Sequence, residues 1–412
     1  MSEQVTIIGA GIVGLCCALS LQDRGIAVRL IDRGEPGQET SFGNAGVVSP
    51  WSVIPQAVPG IWKTIPKMLL DPKSALSVRA SFWPRMVPWG LRFLRKSDEK
   101  SVRNISDAME LLCRPSIELY RRHLQNTGHE DLIVDSNYIH AFRQSDQADL
   151  KALGYAIRKE KGGQLERIDG AELRRMEPAL SRDFKAAILI KGQARVTSPG
   201  RIGSVLADKA HRQGAEFVRT EVTKLNRTDD GLWHLVTPEG PLHADTVVMA
   251  AGVWSAELLK PLGLSVPLVA ERGYHVQFPN PSTVLENSVM DVDAKVVASS
   301  MQDGLRVAGT AEFANIDAPP DPRKQALLTE QARAMVPDLN TTDTQFWMGR
   351  RPSFPDSLPA IGPVEGSKGL FSAFGHSHYG LMMAPKTGEL LADMVSGQRL
   401  NISMAPFALS RF

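Results

Sequence analysis

The 412-residue chain has only three cysteines, Cys16, Cys17 and Cys113, too few for a disulfide scaffold and at no zinc-ligand spacing. They are expected as small buried hydrophobes. No apolar run approaches the roughly 20 residues that a membrane-spanning helix requires. No secretory signal peptide is read, and no repeat or low-complexity tract interrupts the chain. With so little cysteine, this leads to an expectation of a reducing, cytoplasmic setting. Charge of one sign is lacking as well. The 47 Lys and Arg face 45 Asp and Glu, a net charge of +2, so no global field draws nucleic acid. What remains is an ordinary globular composition, 43% hydrophobic, long enough for two packed domains.

The first 32 residues carry the clearest chemistry. Val5-Thr6-Ile7-Ile8 suits a buried parallel strand and leads without a gap into Gly9-Ala10-Gly11-Ile12-Val13-Gly14, a G-x-G-x-x-G in its required place. The first glycine permits the tight turn, the second lets a pyrophosphate approach the backbone, and the third lets helix and strand pack closely. A helix is predicted from Ile12 to about Arg24, stopped by Gly25, and its N-terminus faces the phosphates. A second strand, Val28–Ile31, ends at Asp32, placed to accept hydrogen bonds from both hydroxyls of an unphosphorylated ribose. This is a Rossmann-type dinucleotide site, equally open to FAD or NAD from these residues alone.

After Asp32 the chain runs Arg33-Gly34-Glu35-Pro36-Gly37-Gln38-Glu39-Thr40-Ser41-Phe42-Gly43-Asn44-Ala45-Gly46, a small, polar, glycine-rich loop where a second Rossmann helix would follow. Here the sequence resembles the D-amino acid dehydrogenase branch of the amine-oxidising flavoproteins, within the glycine/D-amino acid oxidase-like superfamily. The strand Ala244–Met249 followed by Ala250-Ala251-Gly252-Val253-Trp254 resembles the family's second flavin signature. The run Gly369–Leu381 resembles its third, entering a helix predicted over about Met382–Val395. The resemblance implies FAD, with Ser41, Asn44, Ala45 and Gly46 beside the pyrophosphate and ring, and the backbone of Val222 at the adenine. It also places Gly9, Gly11, Ile12, Val13, Gly14, Asp32, Arg33, Ala251, Gly252, Trp254, Gly375, His376, Ser377, Gly380 and Leu381 around the cofactor. Some relatives attach flavin covalently through a cysteine just before the segment matching Arg350-Arg351; Gly349 stands there, so noncovalent FAD is expected. No metal is expected.

The fold class expected is α/β. A discontinuous Rossmann-type FAD-binding domain comprises residues 1–47, 195–262 and 349–412. An α+β substrate domain, residues 48–194 and 263–348, is built on an antiparallel sheet that includes strand-like segments Val266–Phe278, Ser288–Ser299 and Leu305–Gly309. A helix with Ser198 as cap and Pro199 at its first position is predicted to run to about Arg212. A basic helical segment spans about 61–126. Within it, residues 61–103 hold ten Lys or Arg against three acids, with Trp62, Trp83 and Trp89 and prolines at 66, 72, 84 and 88. Two readings are compatible: a helical hairpin packed over the active site, and a surface that meets an anionic membrane, where a quinone collects electrons.

In the resembling family, the arginine matching Arg351 grips a substrate carboxylate. A guanidinium does so bidentately, which fixes the α-carbon; lysine offers charge without that geometry. The alternatives are a structural pair with Asp356, or an exchange of roles with Arg350. Tyr274 or His275 is a candidate substrate contact, with an ordinary strand role as the other reading. His376 is a candidate flavin or amine contact, or a structural histidine in a turn. The implied reaction oxidises the CH–NH bond of a D-amino acid or hydroxyproline-like imino acid by hydride loss, and the imine hydrolyses to a keto acid. Electrons pass to a quinone or another acceptor. The alternatives are the flavin subunit of a hetero-oligomeric amine or opine oxidase, and an FAD-dependent 2-hydroxy acid dehydrogenase with His376 as base. Substrate side chain, stereochemistry, acceptor and oligomeric state are left open.

Overall fold

The computed structural model describes residues 4–71, 74–228 and 230–412; Pro72 and Lys73 of the basic segment lie outside the described residues. Strand Val5–Ile8 is buried along its whole length, as a central parallel strand covered on both faces must be. It pairs in parallel with Val28–Asp32 on one side and Thr246–Met249 on the other. The sheet continues through Glu216–Arg219 at one edge, and through Leu370–Phe374 to an antiparallel edge strand, Ala360–Pro363, at the other.

Helix Ile12–Gln22 is apolar nearly all round and almost wholly buried, the mark of a helix enclosed by other elements. Helices Pro199–Arg212 and Gly380–Val395 flank it. Cys16 and Cys17 lie inside this packing and Cys113 in a separate apolar cluster, all three buried and free.

The second large sheet orders its strands Gln345–Ser353, Val269–Phe278, Gly304–Phe313, Val296–Met301, Ser288–Asp291, Ile133–Phe142, Ala186–Val196 and Val47–Val48. Most pairings are antiparallel. Two are parallel: Ser288–Asp291 with Ile133–Phe142, and the short Leu76–Val78 with Gly304–Phe313. The segment expected as one strand over 288–299 is a hairpin, because Lys295 adopts a left-handed backbone (φ 57°) and turns the chain. The predicted helix ends shift slightly, to Gln22 and Gly380. The basic segment folds as helices Ile61–Leu70, Trp83–Leu94, Glu99–Cys113 and Ser116–Leu124, interrupted by Leu76–Val78. No helix among the described residues is long and apolar enough to cross a membrane.

Candidate active site

One cavity of about 1280 Å³ runs between the two sheets. Its first end is made of backbone. Gly9 and Gly14 bring the first helix hard against the first strand: a Cβ on Gly14 would stand 1.9 Å from the Gly9 carbonyl oxygen. Gly9 itself has φ +107°, a conformation that L side chains rarely adopt. The helix therefore presents its unpaired N-terminal amides to the cavity. Asp32 accepts from the Ala10 N–H at 2.7 Å and the Gly34 N–H at 2.9 Å, which fixes its carboxylate in the cavity wall. Ser41 Oγ accepts from the Ile12 N–H at 3.0 Å, so the 41–46 loop caps a helix that has no cap of its own.

Around this end the cavity wall contains Gly9, Gly11, Ile12, Val13, Asp32, Arg33, Ser41, Asn44, Ala45, Val222, Ala251, Gly252, Trp254, Gly375, His376, Ser377, Gly380 and Leu381. Gly14 and Gly46 are not in the wall. Gly14 packs on Gly9, and Gly46 turns beside the Val196 carbonyl with its N–H held by Asn44 Oδ1. Arg33 stacks on Trp254, 4.2 Å from the ring centroid. A second helix N-terminus, Gly380–Val395, opens beside the first. Ser377 Oγ is buried there without a hydrogen-bond partner among the described residues. Two helix N-termini, a ribose-ready acid and an orphaned hydroxyl fit an elongated dinucleotide with a polar ring system.

The other end is made of side chains. Glu271 and Arg351 face each other across the pair of antiparallel strands. Arg351 Nη1 donates to Glu271 Oε1 at 3.2 Å and to the Thr310 carbonyl at 2.9 Å. The guanidinium lies flat over Gly273, where a Cβ would come within 2.1 Å. Thr310 offers its carbonyl because it sits at a bulge with φ 66°. Glu271 is buried, and also accepts from Ser353 Oγ at 3.0 Å and pairs with His378 Nε2. Burial acts to raise its pKa, but His378, Arg351 and Ser353 outweigh burial and hold it at about 2. Arg351 is thus neutralised on one edge, while its Nε and Nη2 have no protein acceptor among the described residues.

Strand alternation sorts the remaining candidates. Glu271, Gly273, His275, Trp347, Gly349 and Arg351 share one face; Arg272, Tyr274, Met348 and Arg350 share the other. Arg350 accordingly donates to the Ile316 carbonyl, and Asp356 pairs with Arg411, not Arg351. Tyr274 stacks on Phe346 and its hydroxyl bonds Glu312 and the Asp321 N–H, an ordinary structural role for its polar atom. His275 stacks on Trp347 and bonds the Gly43 carbonyl. His376 turns its Nε2 to Thr387 at 3.0 Å, and burial holds its pKa at about 3. The left-handed Ser377 (φ 49°) reverses the chain between the two histidines and sends His378 to Glu271. Glu271, His378 and Thr310 were not singled out in the sequence. The one available signal was the acid placed two residues before Gly273 in Glu271-Arg272-Gly273-Tyr274-His275.

The helical hairpin closes the cavity. Ile61, Ile65, Met68, Met86, Gly90 and Leu94 line it, and buried Trp89 donates to the Ser353 carbonyl at 3.3 Å. The hairpin also turns large apolar side chains to solvent: Trp62 is 59% exposed, Leu70 84% and Leu91 55%.

Comparison with known proteins agrees with this geometry. Residues 4–394 match the family described as FAD dependent oxidoreductase. The chain is similar to the D-amino-acid oxidase of Bradyrhizobium diazoefficiens, 37% identical across 100% of this chain and 99% of that protein. It is 30% identical to the D-amino acid dehydrogenase of Vibrio atlanticus, across 99% of this chain and all of that one. Among solved structures, the glycine oxidase of Geobacillus kaustophilus superposes with a TM-score of 0.73 at 25% identity, covering 100% and 99% of the two chains.

Proposed function

The chain belongs to the FAD-dependent oxidoreductase family, and from that premise we propose that it oxidises the CH–NH bond of a small amino or imino acid. A D-amino acid or a hydroxyproline-like compound is the substrate class; the product imine hydrolyses to a keto acid. The observation that carries this reading is the half-satisfied Arg351, held flat over Gly273 with its second edge turned to the cavity. That edge matches a carboxylate in the bidentate manner, and so sets the α-carbon at a fixed place. Glu271, ionised at any pH well above about 2, supplies the counter-charge that keeps the guanidinium from swinging.

Gly9, Gly11, Asp32, Ser41, Val222, Ala251 and the N-terminus of Gly380–Val395 are the residues that would hold FAD, which supplies the two-electron acceptor when bound. Gly349 offers no side chain for attachment, which supports noncovalent binding. In this reading the parallel sheet serves the cofactor and the large mixed sheet serves the substrate. Strand Gln345–Ser353 goes with the latter, so the boundary near 349 moves toward 354.

A further part of the proposal concerns the electron acceptor. The hairpin's outward Trp62 and Leu70, set among Lys63, Lys67, Arg92 and Arg95, suit an anionic lipid surface, with a quinone as acceptor. The test of the whole reading is anaerobic mixing of the purified yellow protein with D- and L-amino acids, prolines, sarcosine and 2-hydroxy acids. Bleaching by a D-amino or imino acid supports it. Bleaching by hydroxy acids alone, or turnover that requires a second polypeptide, overturns it in favour of the corresponding alternative.

A further inference from the structure

Arg351 is not the only arginine in the cavity wall. Arg158, on helix Leu153–Glu160, also lines it. Its Nε donates to the Trp51 carbonyl at 2.9 Å and its Nη1 to the Gly154 carbonyl at 3.0 Å. Its Nη2 has no protein acceptor, and no carboxylate pairs with it, among the described residues. Its neighbours are phenols: it lies 5.7 Å from the Tyr155 ring centroid, with Tyr379 and Tyr138 close by. Burial lowers its pKa, and only these phenols oppose the shift. A half-buried guanidinium without a counter-charge is costly unless a ligand brings one.

The groups beside it are donors as well. Tyr138 and His140 sit two apart on strand Ile133–Phe142, hence on one face, their rings 4.7 Å apart edge to face. His140 Nδ1 bonds the Tyr155 hydroxyl at 2.8 Å, and its buried Nε2 has no partner among the described residues. Burial and the Arg158 charge hold that imidazole neutral, at a pKa of about 3. Tyr379, which feels the charges of both Arg158 and Glu271, has its hydroxyl committed to the Ile54 carbonyl at 2.8 Å.

We propose that Arg158, with Tyr138 and His140, forms a second carboxylate subsite in the same cavity, and that the substrate is an amino or imino acid bearing two carboxylates. Arg351 takes the α-carboxylate and Arg158 the distal one, on the side chain. This rests on the amine-oxidising reading of the site. A charge-assisted contact from the free Nη2, replaced by a contact to a neutral amide, is expected to weaken binding about 30-fold.

The experiment follows flavin bleaching anaerobically with D-aspartate and D-glutamate against D-asparagine and D-glutamine, in the wild type and in Arg158→Met. The wild type should favour the acids about 30-fold in kcat/KM, and the variant should lose that preference. Equal use of acids and amides by the wild type overturns the subsite while leaving the proposed function intact. Bleaching by no amino or imino acid at all overturns both. Loss of flavin from Arg158→Met with the preference unchanged puts the arginine on the cofactor and also overturns it. Should the variant fail to fold, the wild type alone suffices: succinate must shift the flavin absorption spectrum at a far lower concentration than butyrate does, and equal shifts refute the subsite.

Discussion

The two ends of the cavity are built from different materials. At the Gly9–Asp32 end, the central contacts come from main-chain amides and a glycine-tight strand–helix junction within one short stretch of chain, with segments around Val222, Gly252 and Ser377 completing the wall. At the Arg351 end they come from polar side chains on several distant segments, meeting at buried Glu271. Backbone sites tolerate no added atoms but are indifferent to pH. Side-chain sites accept small changes of shape but depend on every charge being paired. The first arrangement suits a resident cofactor, the second a transient substrate.

That contrast gives an ordered set of tests. The largest effect is expected at the backbone end. Gly14→Ala drives a Cβ into the Gly9 carbonyl, and the absorbance ratio of flavin to protein should fall at least about tenfold, since the helix must leave the strand. Retained flavin would mean that the junction is looser than its contacts indicate. Next comes Arg351→Met, with a loss of about 100-fold in kcat/KM and flavin content preserved; Arg351→Lys should recover little, because the planar fork is absent. An equal loss of flavin would erase the distinction between the two ends.

Acid separates the ends less sharply. His140 and His376 are held near a pKa of about 3 by burial, against about 6.5 in the unfolded chain. Between these values the unfolded state binds more protons, so stability falls as pH drops below about 6.5, by about 2 kcal/mol for each histidine at pH 5. Glu271, depressed to about 2, contributes stability above about 4.5 and loses it only at lower pH. Urea unfolding at pH 7 and pH 5 measures this, and His376→Asn should flatten the slope. The smallest effect belongs to the outer surface. Trp62→Ser with Leu70→Ser should reduce partition onto anionic vesicles about tenfold, while substrate still bleaches the flavin.

The same contrast explains what could be read in advance. Val5–Ile8, Gly9–Gly14 and Asp32 were legible because neighbours in sequence are neighbours in the site. Arg351 was legible through its resemblance and the residues around it. Glu271, His378 and Arg158 were not, since each acquires its meaning from a partner more than a hundred residues away: Glu271 and His378 from each other, Arg158 from Trp51 and Tyr379. Tyr274 and His376 each left two readings open in the sequence, and in the cavity wall the polar atom of each is tied to a protein partner. Strand alternation sends one to Glu312, and the turn sends the other to Thr387.

The most direct test of the central claim is anaerobic stopped-flow reduction of the bound flavin by the substrate found in the panel, comparing the wild type with Arg351→Met. The expected result is a rate that saturates with substrate in the wild type, and in the variant a rate that rises linearly without saturating over the same range, because the carboxylate anchor is gone. Saturation at the same concentration in both proteins would contradict it, and would place the substrate's carboxylate elsewhere in the cavity.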